Sequence, residues 1–100
     1  MMDKLLKIFH HYGVFGQLRK LNEECYELIE AISDYVYETD AEESNECFNH
    51  MEEEFADVMV VLEQIKVHYE LDNHRIMEIM EKKIDRTLER IEGDKNEERR

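Results

Sequence analysis

Two pairs of acidic side chains carry the spacing that a metal-binding helix needs. Glu24 and Glu27 lie three residues apart in the stretch LNEECYELIEAI. Glu54 and Asp57 repeat this spacing in HMEEEFADVMVVL. Residues at this separation share one face of a helix, with Cβ atoms roughly 5 to 6 Å apart. Each pair could therefore hold one cation through its carboxylate oxygens.

The charge of these acids determines what they could bind. If their two helices pack antiparallel, the four carboxylates converge at the edge of the core, where charges about 4 Å apart repel by about 4 kcal/mol at an effective dielectric of about 20. A cation in the gap would relieve this repulsion, and all-oxygen ligation favours Mg²⁺ or Mn²⁺ over zinc. The alternative interpretation is a solvated helix face, because a chain with 26 acidic residues produces such spacings by chance.

The elements that would position these acids are helices. The 100-residue chain has no proline and only three glycines, and its apolar residues recur in steps of three and four. Asp40 as an N-cap, or Thr39 with Glu42 as a capping box, can begin the third helix, and Asp72 or Asn73 can begin the fourth. We therefore predict an all-α, four-helix fold in one domain (1–93) with a charged, frayed tail (94–100), and helices at about 2–11, 17–37, 40–69 and 72–93.

Glu24 and Glu54 fall at the margins of two predicted apolar stripes. On a helical wheel, Glu27 and Asp57 lie one step further out. These acids should therefore lie at the edge of the core. The predicted buried positions are Leu18, Leu21, Cys25, Leu28, Ile32 and Tyr35 on the second helix and Phe48, Met51, Phe55, Val58, Leu62, Ile65 and Tyr69 on the third.

Net charge and composition restrict the partners of the chain. Twenty-six acidic and thirteen basic residues give a net charge of −13, which repels nucleic acid polymers and anionic membranes. The amino terminus does not resemble a signal peptide, and the two cysteines lack metal-site spacing, so we expect a cytoplasmic protein. The run VMVVL makes the third helix apolar nearly all round, which predicts a homo-oligomer.

The acidic motifs resemble those of a known family. The segments YGVFGQLRKLNEECYELIEAI and MEEEFADVMVVLEQI are similar to the MazG-like, all-α nucleoside triphosphate pyrophosphohydrolases, which carry E-E-x-x-E-L on one helix and E-x-x-D on the next. The similarity spans about residues 12–91. It implies a helical homodimer or homotetramer that binds Mg²⁺ and cleaves a nucleotide between its α and β phosphates. By similarity, the catalytic metal ligands would be Glu24, Glu27, Glu54 and Asp57, with Glu23 as an additional candidate.

Phosphate-binding candidates lie on the last predicted helix. Lys83, Thr87 and Arg90 share a narrow arc at the edge of its apolar stripe, where cations can neutralise phosphate oxygens. The family often has lysine, asparagine and arginine at this spacing, so Thr87 departs from the pattern. The alternative is that Lys83 and Arg90 extend from the core margin to pair with surface glutamates.

Two interpretations of function follow. The first is a Mg²⁺-dependent pyrophosphohydrolase that removes surplus or non-canonical NTPs or dNTPs, with Gln17, Tyr12 and Phe15 as candidates for contacting the base or sugar. The second is a non-catalytic helical interaction module, a degenerate relative that docks a partner through its apolar helices. Release of pyrophosphate from a nucleotide would distinguish them.

Overall fold

The computed structural model describes the backbone of residues 1–98 and the side chains of residues 1–95. Within that range it contains no strand and three helices, α1 (Met2–Tyr37), α2 (Ala41–His68) and α3 (Asn73–Glu98). The all-α prediction is confirmed. In the described part of the chain, no helix has the combination of length and apolar character that crossing a membrane would require.

A break at a single glycine lies inside α1, where the sequence predicts two separate helices. The predicted first and second helices are joined in α1, and Gly13 between them has φ 76° and ψ 168°, outside the helical region. Glycine adopts a positive φ readily because it has no Cβ. The chain therefore changes direction at one residue, without the connecting segment that was predicted.

Aspartate side chains begin both later helices. The Oδ1 atom of Asp40 accepts hydrogen bonds from the backbone N–H groups of Glu42 and Glu43, each at 3.0 Å. Asp72 caps α3 in the same way, at 2.9 and 3.4 Å. These bonds satisfy N–H groups that have no partner inside the first turn of a helix. Of the predicted alternatives, aspartate is the cap in both helices.

The described chain divides into two compact units, Met1–Glu70 with α1 and α2, and a second that begins at Leu71 and contains α3. Within the second unit, α3 continues through Gly93, its predicted end, to Glu98. Gly93 lacks the positive φ that commonly ends a helix at glycine. The boundary at residue 93 and the frayed tail after it stay predictions, and residues 99–100 lie outside the described range.

Helices α1 and α2 form an antiparallel hairpin. Near one end Phe9 stacks on His68, with ring centroids 4.1 Å apart. Near the other end Tyr35 meets Phe48 edge-on at 5.7 Å. Only the short loop after Tyr37 connects the helices, as expected for antiparallel neighbours. The predicted antiparallel packing, which the acidic pairs require, is therefore present.

The buried face of α1 overlaps only in part with the predicted apolar stripe. Gln17, Glu24 and Ala31 are buried with 4%, 4% and 1% of their surface exposed, whereas Leu18 and Ile32 are exposed. Three of the six predicted positions are half-buried, so the stripe is wrong in part, and the most deeply buried positions lie about one residue earlier along the helix. The cause is that α2 covers the face of α1 that carries Gln17 and Glu24, and the neighbouring apolar face lies outside this contact.

On α2 the predicted stripe is correct only in part. Val58, a predicted position, is buried together with Val61 and Gln64, whereas Phe55 and Leu62 of the predicted stripe are exposed by 55% and 48%. A helix that is apolar nearly all round can turn any of several faces to one neighbour, so its hydrophobic pattern does not select the contact. Large apolar side chains of α2 consequently remain on the surface of this unit.

Candidate metal centre

Glu24 is the most deeply placed acid of the two predicted pairs. Its Oε1 atom lies 2.8 Å from Nζ of Lys20, one helical turn earlier, and Lys20 itself is about half exposed. The hydrogen bond to Glu24, followed by the attraction of its charge, raises the pKa of Lys20. The other oxygen of Glu24, Oε2, is buried without a hydrogen-bond partner. One oxygen of this carboxylate is therefore paired with a cation, and the other oxygen has no partner.

Glu54 approaches Glu24 from the opposite helix. Its Oε2 atom is also buried without a partner, and its Oε1 atom lies 3.8 Å from Nε2 of His50, beyond hydrogen-bonding distance. Removal from water raises the pKa of Glu54, and the nearby charges of Glu27, Asp57 and Glu24 raise it further. This carboxylate accordingly lies in a site where negative charge is destabilised.

Three carboxylates converge at a distance that suits a divalent cation. One oxygen from each of Glu24, Glu27 and Glu54 lies within 4.8 Å of the other two. Mg²⁺ and Ca²⁺ hold oxygen ligands at roughly 2.0 to 2.6 Å, so two ligands of one ion can be separated by about twice that distance. Glu24 and Glu54 each have one buried oxygen without a partner, which is costly for a charged acceptor, and a cation bound by these residues would reduce that cost. The residues present therefore fit a divalent cation.

Asp57 lies beside this group of three. It lines a cleft of about 620 Å³ together with Glu23 and Glu24, and its charge contributes to the raised pKa of Glu54. Of the four predicted ligands, the structure thus brings three together and places the fourth on the adjoining wall. The ligand role of each acid stays a prediction.

Two of the three residues predicted to contact the base or sugar line the same cleft. Gln17 and Tyr12 line it, whereas Phe15 is 78% exposed and is not among its lining residues. Gln17 is buried, and its Nε2 atom donates a hydrogen bond to Oε1 of Gln64 on α2. Arg19 adds a positive charge to the lining. The cleft therefore contains acidic, basic and neutral amide groups.

Gln64 is a cleft residue that the sequence analysis missed. It is only 2% exposed, yet it lines the cleft beside Gln17. A signal for it was present in the spacing, because Gln64 follows Asp57 by two helical turns, as Gln17 precedes Glu24 by two. In an antiparallel pair of helices, this symmetry brings the two amides to one level.

Comparison with known proteins identifies the family. The family model described as the MazG nucleotide pyrophosphohydrolase domain matches residues 16–91. The chain belongs to this family. The resemblance found in the acidic motifs is therefore confirmed. Searches of curated proteins and of solved structures returned no match.

The MazG match extends onto α3, which carries the predicted phosphate-binding residues. Lys83, Thr87 and Arg90 are all exposed. Thr87 Oγ1 donates a hydrogen bond of 2.9 Å to the backbone oxygen of Lys83. A threonine hydroxyl that bonds the preceding turn of its own helix has no proton left to donate to a ligand. The phosphate-binding role of these three residues stays a prediction.

Proposed function

We propose that this MazG domain is a Mg²⁺-dependent nucleoside triphosphate pyrophosphohydrolase. Water adds across the anhydride between the α and β phosphates of an NTP or dNTP, one bond between phosphorus and the bridging oxygen breaks, and the products are a nucleoside monophosphate and pyrophosphate. The proposal is supported by the convergence of carboxylate oxygens from Glu24, Glu27 and Glu54, and by the buried, unpartnered oxygen that both Glu24 and Glu54 carry. The proposed role is sanitation of the cytoplasmic nucleotide pool.

The acids are proposed to bind and orient the cation. Glu24, Glu27 and Glu54 would hold it from both helices, and Asp57 would complete the set from the wall of the cleft. When bound, Mg²⁺ supplies positive charge that neutralises phosphate oxygens and activates water. Mn²⁺ should substitute, because both ions accept carboxylate oxygen. Glu23, on the same wall, remains an additional candidate.

Basic side chains of the first unit are proposed to assist substrate binding. The chain carries a net charge of −13, so it repels a free triphosphate at long range. Lys20 and Arg19 line the cleft beside the acids and place positive charge where phosphates would lie. Arginine can bind two phosphate oxygens as a fork, and lysine acts as a compact charge. The substrate should therefore bind as its magnesium complex.

On α3, we propose that Lys83 and Arg90 make further contacts with phosphate and that Thr87 contributes less. Both cationic side chains are exposed. The hydroxyl of Thr87 is engaged with the backbone oxygen of Lys83, so it would have to rotate before donating to phosphate. We therefore expect a smaller loss of activity from Thr87→Val than from Lys83→Met or Arg90→Met.

We also propose that the active form is a homodimer or homotetramer. Large apolar side chains are exposed on both units of the single chain, including Phe55 and Leu62 on α2 and Met80, Ile84 and Leu88 on α3. Covering such side chains stabilises an assembly by about 25 cal/mol for each Å² of apolar surface removed from water. Sedimentation equilibrium of the purified chain tests this, and a monomer at all concentrations would contradict it.

A nucleotide screen tests the proposed activity. The chain is incubated with each common NTP and dNTP in millimolar Mg²⁺, and pyrophosphate, phosphate and nucleoside monophosphate are measured separately. We expect equal amounts of monophosphate and pyrophosphate from at least one nucleotide, and none after EDTA is added. Release of phosphate with a diphosphate would contradict cleavage between the α and β phosphates. Absence of any release, with or without Mn²⁺, would favour the non-catalytic interaction module.

A further inference from the structure

Stability alone does not require the Gln17–Gln64 hydrogen bond, because replacing both partners of a buried bond by apolar groups of the same shape can be nearly neutral. It joins two nearly inaccessible amides across the contact between α1 and α2, with apolar Val61 lining the same cleft. Burying polar groups in place of apolar ones is at best neutral for stability unless every group is paired. A buried amide pair at a cleft therefore requires another explanation.

The Gln17–Gln64 pair leaves donor and acceptor positions of both amides unused. Each glutamine amide offers two N–H donors and an oxygen that can accept twice, and the shared bond uses one donor and one acceptor position. No other hydrogen bond of Gln17 or Gln64 occurs among the described residues. The pair therefore retains N–H donors on Gln64 and an acceptor oxygen on Gln17, in a cleft that both residues line.

The shared bond also orients these remaining groups. Because Gln64 Oε1 accepts from Gln17, the N–H groups of Gln64 and the oxygen of Gln17 are left available side by side. A lone glutamine could rotate its amide by half a turn and exchange donor for acceptor. Each glutamine of this pair resists such a rotation, because it would break the shared bond. The cleft thus presents a donor and an acceptor together, and exchanging them requires both amides to rotate at once.

The position of the pair along the helices agrees with the length of a nucleotide. Gln17 precedes Glu24, and Gln64 follows Asp57, by two helical turns, or roughly 10 Å at about 1.5 Å per residue. The amides and the acids are therefore two levels of one cleft. The base of a nucleotide is separated from its β phosphate by a similar distance. A nucleotide whose phosphates lie near the acids would bring its base to the amides.

We propose that the Gln17–Gln64 pair recognises the hydrogen-bonding edge of the nucleobase. Amide side chains pair with base edges through one donor and one acceptor, and apolar or aromatic side chains contact the ring faces. Ile8, Tyr12 and Val60 line the cleft and supply such contacts. This inference rests on the proposed function. It adds a residue, Gln64, and a role: the pair determines which bases are preferred.

The test is a change in base preference, because general damage to the fold lowers turnover of all bases equally. Gln64→Met retains the length of the side chain and removes the amide. We expect it to reduce kcat/KM for the preferred nucleotide by about 10- to 100-fold, mainly through KM, and to bring the ratio between best and worst base close to one. Asn49→Met, which removes an exposed amide from the same helix, should leave this ratio unchanged.

Further variants keep the test decisive. Melting followed by circular dichroism identifies a Gln64→Met protein that does not fold, in which case Gln64→Asn, with its amide withdrawn by one methylene, replaces it. A folded variant that keeps the wild-type base ratio would overturn the inference.

If the wild-type chain cleaves no nucleotide, the proposed function fails separately. Calorimetry with the four nucleoside monophosphates then gives the ratio of affinities between the best- and worst-bound base. The same affinities in the wild type and in the variant would overturn base recognition.

Discussion

Lys20 neutralises one oxygen of Glu24, at a distance of 2.8 Å, while the second oxygen of Glu24 is buried without a partner. A lysine on the same helix, one turn before Glu24, therefore already supplies a positive charge to the acid cluster. A divalent ion bound by Glu24 would compete with this lysine for the same carboxylate. Lys20 is half exposed, so it can swing away from Glu24 without unfolding the hairpin.

The first prediction concerns this competition. Lys20→Met should tighten the binding of Mn²⁺ in the absence of nucleotide by about two- to fivefold, because partly exposed ion pairs contribute up to about 1 kcal/mol. Electron paramagnetic resonance of free Mn²⁺ measures the dissociation constant directly. Lys4→Met removes an exposed lysine of α1 outside the cleft and should have a smaller effect. Weaker Mn²⁺ binding by Lys20→Met would show that Lys20 does not compete with the ion.

The second prediction concerns pH and the metal-free protein. Burial, followed by the charges of Glu27, Asp57 and Glu24, raises the pKa of Glu54 above its ordinary value of 4.5. The folded state then binds this proton more tightly than the unfolded state does. Protonation stabilises the fold below pH 4.5, and this contribution is lost as the pH rises through the raised pKa.

The variant Glu54→Gln tests this sign, because glutamine resembles the protonated acid. In EDTA, its Tm should exceed that of the wild type at neutral pH, and the difference should shrink toward pH 4.5. Glu53→Gln, at an exposed neighbouring position, should follow the wild-type curve. A difference that grows as the pH falls would mean that the charged form of Glu54 stabilises the fold.

The third prediction concerns turnover. Asp57→Asn should reduce kcat/KM at least about 100-fold in Mg²⁺, because a metal site loses activity when a charged oxygen ligand is replaced by a neutral one. Its Tm in EDTA should not fall, since a negative charge near Glu54 has been removed. Glu52→Gln, an exposed acid on the same helix, serves as the control. Pyrophosphate release at the wild-type rate by Asp57→Asn would exclude Asp57 from the site.

The fourth prediction compares the effect of alanine at two glycines, Gly13 in α1 and Gly93 in α3. Gly13 has φ 76°, and a Cβ built there meets no atom within 4 Å, so Gly13→Ala would be strained by its backbone alone. This strain should destabilise the fold by about 1 to 2 kcal/mol. Gly93 has no positive φ, so Gly93→Ala should stabilise α3 by about 0.5 to 1 kcal/mol. Urea titrations measure both, and a stabilised Gly13→Ala would contradict the break in α1.

Several features could be predicted from local spacing and residue chemistry. Asp40 and Asp72 were candidate caps because short acidic side chains reach N–H groups of the following turn, and both serve as caps. The pair Glu24 and Glu27 was assigned to one helix face because this depends only on the number of residues per turn. These features were accessible because they involve residues close together in the chain.

The rotation of the two helices was decided by tertiary structure. Periodicity identifies residues that share a face, but it does not select the face that a neighbour covers when several are apolar. Here the contact includes Gln17 and Gln64, so Glu24 is buried while Leu18 remains exposed. The distance between carboxylates on α1 and α2 depends on this rotation and on the register of the hairpin. Both are set by contacts between residues far apart in the chain, which no local pattern records.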